Sequence, residues 1–194
     1  MKKKLALSFT LIIVLIVCVF TICFYRSTLI NIKSDKSINS HLAANEDNPI
    51  TVLAMKEYND YVGILYTDSF NKDNSGYSFR YLKKCSFGKN LYYNEGGNLN
   101  SSINGLNYFE IYNDEYDLCT LFIFGLESDY NKCSVFSIDT DPIMKLEEIN
   151  IDDSPFIIAK NYDITSESNC ITVFDGSLST EDVEQMAAGF ASDD

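Results

Sequence analysis

Positions 5–24 read LALSFTLIIVLIVCVFTICF, a run without a single charge in which only Ser8, Thr10 and Thr21 carry hydroxyls. As an α-helix rising about 1.5 Å per residue, it would measure about 30 Å, the thickness of a bilayer's hydrocarbon core. Such a helix has no polar face to offer water, so the remainder of the chain must fold without it. Residues 1–26 therefore read as one N-terminal transmembrane helix. A cleavable signal peptide has a shorter apolar region and a small-x-small cleavage site, whereas Tyr25, Arg26, Ser27 and Thr28 follow this run. Lipoprotein processing needs a small residue before the modified cysteine, but Val17 precedes Cys18 and Ile22 precedes Cys23. The segment reads as an uncleaved, single-pass signal anchor. Lys2, Lys3, Lys4 and the terminal amine abut its start, while only Arg26 abuts its end. This bias keeps the N-terminus cytoplasmic and puts the C-terminal domain outside the cytoplasm.

Charge is distributed just as unevenly. All 28 acidic residues follow Arg26, against eleven basic ones, leaving that portion at a formal −17. A surface of that sign repels phosphate backbones, which excludes nucleic acid as a partner. Taken as a whole, it also argues against docking on an anionic lipid surface.

Residues 27–48 are polar and weakly patterned, and read as a stalk. Residues 49–194 then form the acidic, mainly β extracytoplasmic domain. From Ile50 onward, aromatic and β-branched runs of strand length alternate with Asn/Asp/Gly clusters. Asn59-Asp60 makes a tight turn between runs 50–58 and 61–70. Tyr77, Phe79 and Tyr81 share one face of a strand, opposite Ser78 and Arg80. Residues 118–124 are apolar on both faces, the pattern of a central strand. The fold class is an antiparallel sandwich or bent sheet with a short C-terminal helix. Ser179-Thr180-Glu181-Asp182 caps that helix, whose apolar face is Val183, Met186, Ala187 and Phe190. A Tyr-Asp echo around Tyr66, Tyr112 and Tyr162 is explained by the abundance of both residues.

The lysine start, bare apolar run, polar spacer and Tyr-rich β domain, with stretches such as YVGILYTDSF and KKCSFGKNLYYNEGGN, resemble short signal-anchored extracytoplasmic proteins of low-GC Gram-positive bacteria. No activity is attached to that group, so the resemblance implies cellular placement and nothing about chemistry.

No catalytic constellation is visible. The one histidine, His41, falls in the expected stalk, so Ser-His-Asp or Cys-His chemistry would need the linker to fold back. No zinc-ligand spacing, phosphate loop or cofactor motif is present. Asn71-x-Asp73-x-Ser75-Gly76 opens like a calcium loop, but Leu82 stands where the bidentate Glu belongs. That stretch, Asp139-x-Asp141 and Asp152-Asp153 read as solvated turns. Cys85, Cys119, Cys133 and Cys170 accompany the strands; an oxidising compartment would allow up to two disulfides among them, and four buried free thiols is the other reading. Arg80, Lys83, Lys84 and Lys89, close in sequence to Tyr92 and Tyr93, form the candidate partner-binding patch. The leading expectation is a tethered interaction module for an envelope protein or wall polymer, without metal or cofactor. The alternatives are a carboxylate-based hydrolase of wall or extracellular glycans, and an accessory subunit that assembles through its membrane helix.

Overall fold

The computed structural model describes residues 2–43, 49–68, 76–86, 88–101, 106–113, 117–127, 131–138, 142–163 and 171–191. Side chains are described for these except at 2–9, 26, 97–101 and 187–191. Among the described residues the order is α1 (Lys2–Thr28), β1 (Leu29–Asn31), α2 (Asp35–Leu42), β2 (Thr51–Tyr58), β3 (Tyr61–Thr67), β4 (Tyr77–Lys84) and β5 (Leu91–Ser101). There follow β6 (Asn107–Asn113), β7 (Leu118–Gly125), β8 (Lys132–Ser137), β9 (Met144–Asn150), β10 (Phe156–Asp163), β11 (Ile171–Asp175) and α3 (Thr180–Ala191).

The chain is mainly β, and every strand pairing is antiparallel. Three sheets have the orders β1-β5-β4-β3-β2, β10-β7-β6 and β11-β8-β9. Local chemistry sets the hairpins. Between β2 and β3, Asn59 takes φ 53, a left-handed value that Asn tolerates, and Tyr58 pairs with Tyr61 across the two-residue turn.

Side-chain alternation divides the burial into three layers of core. Leu65, Tyr77 and Phe79 of the five-stranded sheet meet Phe122 and Phe124 of β7. The opposite face of β7, Cys119, Leu121 and Ile123, meets Cys133 and Val135 of β8 with Ile171 and Val173 of β11. Strand β7 is therefore buried on both faces, as its unbroken apolar run predicts. Aromatic contacts fix the first of these interfaces: Phe79 stacks on Phe124 with centroids 3.9 Å apart and planes 9° apart. Each such ring, fully buried, contributes about 1.5–3 kcal/mol by leaving water.

The third core corrects the expected stalk. β1 pairs with β5, placing Leu29 opposite Tyr93 and Asn31 opposite Leu91. Ser34 then caps α2, accepting a hydrogen bond from the Ser37 amide at 3.3 Å. Ile38 and Leu42, one helical turn apart, join Ile30, Ile32, Val62, Ile64, Leu82 and Tyr92 on the outer face of the five-stranded sheet. The Asn39 side chain accepts the Ile50 amide at 2.7 Å and secures α2 to the chain entering β2. Few of these residues are apolar, which gives the segment a polar composition, but Ile30, Ile32, Ile38 and Leu42 pack into one core with the sheet.

At the other end, Ser179 and Asp182 cap α3 reciprocally. The Ser179 amide donates to Asp182 Oδ2 at 2.8 Å, and the Asp182 amide donates to Ser179 Oγ at 3.2 Å. These bonds hold the Asp182 carboxyl below the usual range. Val183 is buried, whereas Met186 is exposed. The side chains of Ala187 and Phe190 lie outside the described residues.

Helix α1 stands apart in kind. Its side chains at positions 10–25 are all exposed, from Ile13 at 47% to Phe20 at 74% among the large apolar ones apart from Tyr25, and Thr28 at its end is half-buried. Among the described residues, no helix is long and apolar enough to cross a membrane.

Candidate functional site: a cationic cleft beside strands β4 and β5

Strand β4 ends in Lys83 and Lys84, and the chain returns through residues 85–90 into β5. Backbone bonds hold this return: Cys85 N–H donates to Leu91 O at 2.8 Å, and Lys84 N–H to Asp60 O at 2.6 Å. Gly88 lets the turn close on Leu91, because a Cβ there would lie 2.6 Å from Leu91 Cδ1. The result is an open cleft of about 660 Å³ lined by Asp60, Lys83, Lys84, Cys85, Ser86 and Lys89, with Gly88 between. Lys83 reaches Glu95 at 3.9 Å with both side chains largely in water, a pairing that contributes little. Among the described residues, Lys84 and Lys89 have no carboxylate within 4 Å.

Three of the four expected cations thus share one cleft, and Tyr93 adjoins it. The hydroxyl of Tyr93 lies 3.4 Å from the buried Cys85 thiol. That hydrogen bond, ahead of burial and of nearby Tyr25, raises the Tyr93 phenol pKa.

Arg80 and Tyr92 depart from the expected patch, because both are taken up by packing within the sheet. Successive side chains point to opposite faces, so Tyr92 and Tyr93 do not line one surface. Tyr92 is buried in the α2-side core and donates to Glu57 Oε2 at 3.1 Å. Burial, aided by Glu57, pushes its pKa up to about 12. Arg80 is half-buried, pairs in register with Ile64, and hydrogen-bonds Tyr66 beside Ser78. Its Nε is buried without a hydrogen-bond partner.

A second open cleft, of about 540 Å³, lies between the last turn of α1 and α2 and is lined by Tyr25, Ser34, Lys36, Ser37, Ser40 and His41. The linker has folded back, so His41 needs testing as a base. Its Nδ1 lies 2.8 Å from the Ser37 carbonyl and 3.0 Å from Ser40 Oγ. A carbonyl only accepts, so Nδ1 carries the proton in this arrangement and has no lone pair for the Ser40 hydroxyl. Ser40 itself donates to the same carbonyl at 3.0 Å. The pair completes helix hydrogen bonding and is not an activated nucleophile.

Cys85, Cys119 and Cys133 are buried free thiols, whereas Cys18 and Cys23 of α1 are free and exposed. Cys119 and Cys133 share the core between the three-stranded sheets, whereas Cys85 sits at the cationic cleft. Burial, with Glu110 adding to it, raises Cys119 to about 12; burial with Asp175 and Glu147 raises Cys133 to about 11. Cys170 lies outside the described residues.

The acids near this core are matched with cations. Glu147 takes Lys160 at 2.7 Å and Tyr162 at 3.1 Å. Glu148 takes Lys132 at 2.7 Å, Lys145 at 3.2 Å and Ser177, and these bonds, Lys132 first, lower its pKa to about 2. A carboxyl so acidic is ionised at neutral pH and is no general acid. Glu110 is raised by burial. Among the described residues, no three His, Cys, Asp or Glu side chains gather as a metal site. The calcium-like stretch from Asn71 to Ser75 and the Asp139-x-Asp141 pair fall outside them, and Asp152 and Asp153 are exposed.

No protein-family model matches the chain. Neither a curated protein nor a solved structure is significantly similar to it.

Proposed function

We propose that this chain is a single-pass, membrane-tethered module whose mainly β domain lies outside the cytoplasm and binds an anionic partner through the Lys83–Lys84–Lys89 cleft. The observation that carries the reading is α1, whose apolar side chains are exposed on every face while the domain beyond it has three filled cores. A helix apolar all round needs an apolar solvent. In the sequence that character extends over positions 5–24, long enough to span. The lysines at its start favour a cytoplasmic N-terminus.

The cleft supports a binding role because it gathers unneutralised cations on a domain otherwise rich in acid. An envelope protein or an anionic wall polymer meets that chemistry. Full-length protein in its native membrane should resist alkaline carbonate extraction, and external protease should reach the domain only from the outer side. Release by carbonate would remove the anchor, and protection from external protease would reverse the orientation. Replacing Lys84 and Lys89 by Glu should abolish cross-linked capture of the partner, and unchanged capture would remove the cleft from the reading.

A further inference from the structure

We propose that the anionic partner of the cationic cleft is the membrane itself: the domain leans onto the headgroups of anionic phospholipids beside its own anchor. This rests on the anchoring reading above and names the ligand of the cleft.

Thr28 ends α1 and Leu29 begins β1, with no residue between them. β1 is hydrogen-bonded to β5, so the five-stranded sheet starts where the helix stops. A domain joined without slack keeps whatever adjoins that junction near the bilayer surface.

Two clefts adjoin it. Tyr25, in the last turn of α1, lines the cleft that carries Lys36 and His41, together with Leu91. Leu91 is also the residue on which the cationic return closes, through its bonds with Gly88 and Cys85. Tyr25 is within electrostatic range of Tyr93, which touches Cys85 inside the second cleft. Lys36, Lys84 and Lys89 therefore flank the helix exit, with Lys33 and Lys83 close in the chain.

Eight of the eleven basic residues after Arg26 divide by how they are neutralised; of the others, Lys56 on β2 has no carboxylate within 4 Å among the described residues, Arg80 is half-buried in the sheet, and Lys72 lies outside the described residues. Remote from the junction, Lys132, Lys145 and Lys160 are engaged by Glu148 and Glu147 at 2.7–3.2 Å. Near it, Lys33 and Lys83 have only long, exposed contacts of 3.6 and 3.9 Å. Lys36, Lys84 and Lys89 have no carboxylate within 4 Å among the described residues. Among the described residues lining the two clefts, the one acid is Asp60, in the Lys84–Lys89 cleft. The formal −17 is a whole-domain sum. At a Debye length of about 8 Å in physiological salt, a headgroup senses the nearest charges rather than that sum. Tyr25 supplies the amphipathic ring favoured at headgroup depth.

The chain contains no tryptophan, so one introduced at exposed Ser86 is a single fluorophore in the cleft. The full-length S86W protein would be reconstituted into phosphatidylcholine vesicles with and without phosphatidylglycerol, each doped with brominated lipid. Carbonate-resistant retention on both vesicle types reports the anchor separately. With the anchor intact, bromine quenching should rise at least about two-fold on adding phosphatidylglycerol, and about 0.5 M salt should reverse the gain. S86W with Lys84→Glu and Lys89→Glu should lose the gain, since each lysine near an anionic surface contributes about five-fold in association. Retention with equal quenching in the two vesicle types would overturn the proposal and leave the anchor standing. A gain produced by an anionic wall polymer or by inorganic phosphate, but not by phosphatidylglycerol, would also overturn it. Release from both vesicle types would overturn the anchor, and this inference with it.

Discussion

Gly63 faces Phe79 and Phe122 in the contact between the five-stranded sheet and β7, and Gly63→Ala tests how that interface is built. A Cβ at this position would sit 3.0 Å from Cδ1 and from Cε1 of Phe122, and 3.0 Å from Cε2 of Phe79. Carbon atoms prefer about 3.5–4.0 Å, so both rings must retreat by about 0.5 Å or more. Phe79 has little room, because its other neighbour is Phe124 at a centroid distance of 3.9 Å. Phe122 is fully buried. Overpacking of this kind costs about 1–3 kcal/mol. Alanine restricts the unfolded chain more than glycine does, which offsets about 0.5–1 kcal/mol. Taking the middle of each range, the net loss is about 1.3 kcal/mol, or a fall in Tm of about 3–5 °C for a chain of this size. Thermal unfolding of the full-length protein in detergent, followed by near-ultraviolet circular dichroism of its tyrosines, reads this directly. In a Phe122→Leu background, which removes the ring edge, the added cost of alanine should shrink by at least about 0.5 kcal/mol. A Gly63→Ala protein as stable as its parent, or costs that simply add in the double variant, would refute this account of the interface.

Three further outcomes follow from the same coordinates. Ile38→Ala should cost about 2–5 kcal/mol in the same melt, because Ile38 is buried against the sheet; a silent substitution would return residues 27–48 to the role of a stalk. Glu148 has a lowered pKa, so its bonds to Lys132, Ser177 and Lys145 stabilise the fold fully above the ordinary carboxylate range, and that stability is lost as pH falls through about 2. The stability gap between the parent and Glu148→Gln should accordingly be flat above about pH 5 and close on acidification; a gap that widens in acid would contradict the assignment. Cys119 and Cys133, raised to about 12 and about 11, should stay unmodified by a maleimide at pH 8 in the folded protein and react fully in urea, with mass spectrometry of the labelled peptides as the readout.

What was legible in the sequence is what depends on near neighbours. Period-two alternation and turn residues located the strands: Asn59-Asp60 is the β2–β3 turn, residues 118–124 lie in the doubly buried β7, and Ser179 with Asp182 caps α3. These features are set by φ/ψ preferences and hydrogen bonds within a few residues, so the local string carries them. The apolar run 5–24 belongs with them, since its length and lack of charge are read without reference to any partner. Tertiary structure decided which local surfaces meet. Ile30, Ile32, Ile38 and Leu42 are too sparse to mark residues 27–48 as folded, and they gain meaning only from the sheet face formed by Val62, Ile64, Leu82 and Tyr92. The cationic patch divided for the same reason. Proximity in sequence grouped Arg80 and Tyr92 with Lys83, Lys84 and Lys89, but Tyr92, which lies opposite Lys84 across the β4–β5 pair, is buried with Ile38 and Leu42 of α2, while Lys84 at the strand end stays exposed. Only the docking of α2 on that face settles which of its side chains are core and which line the cleft.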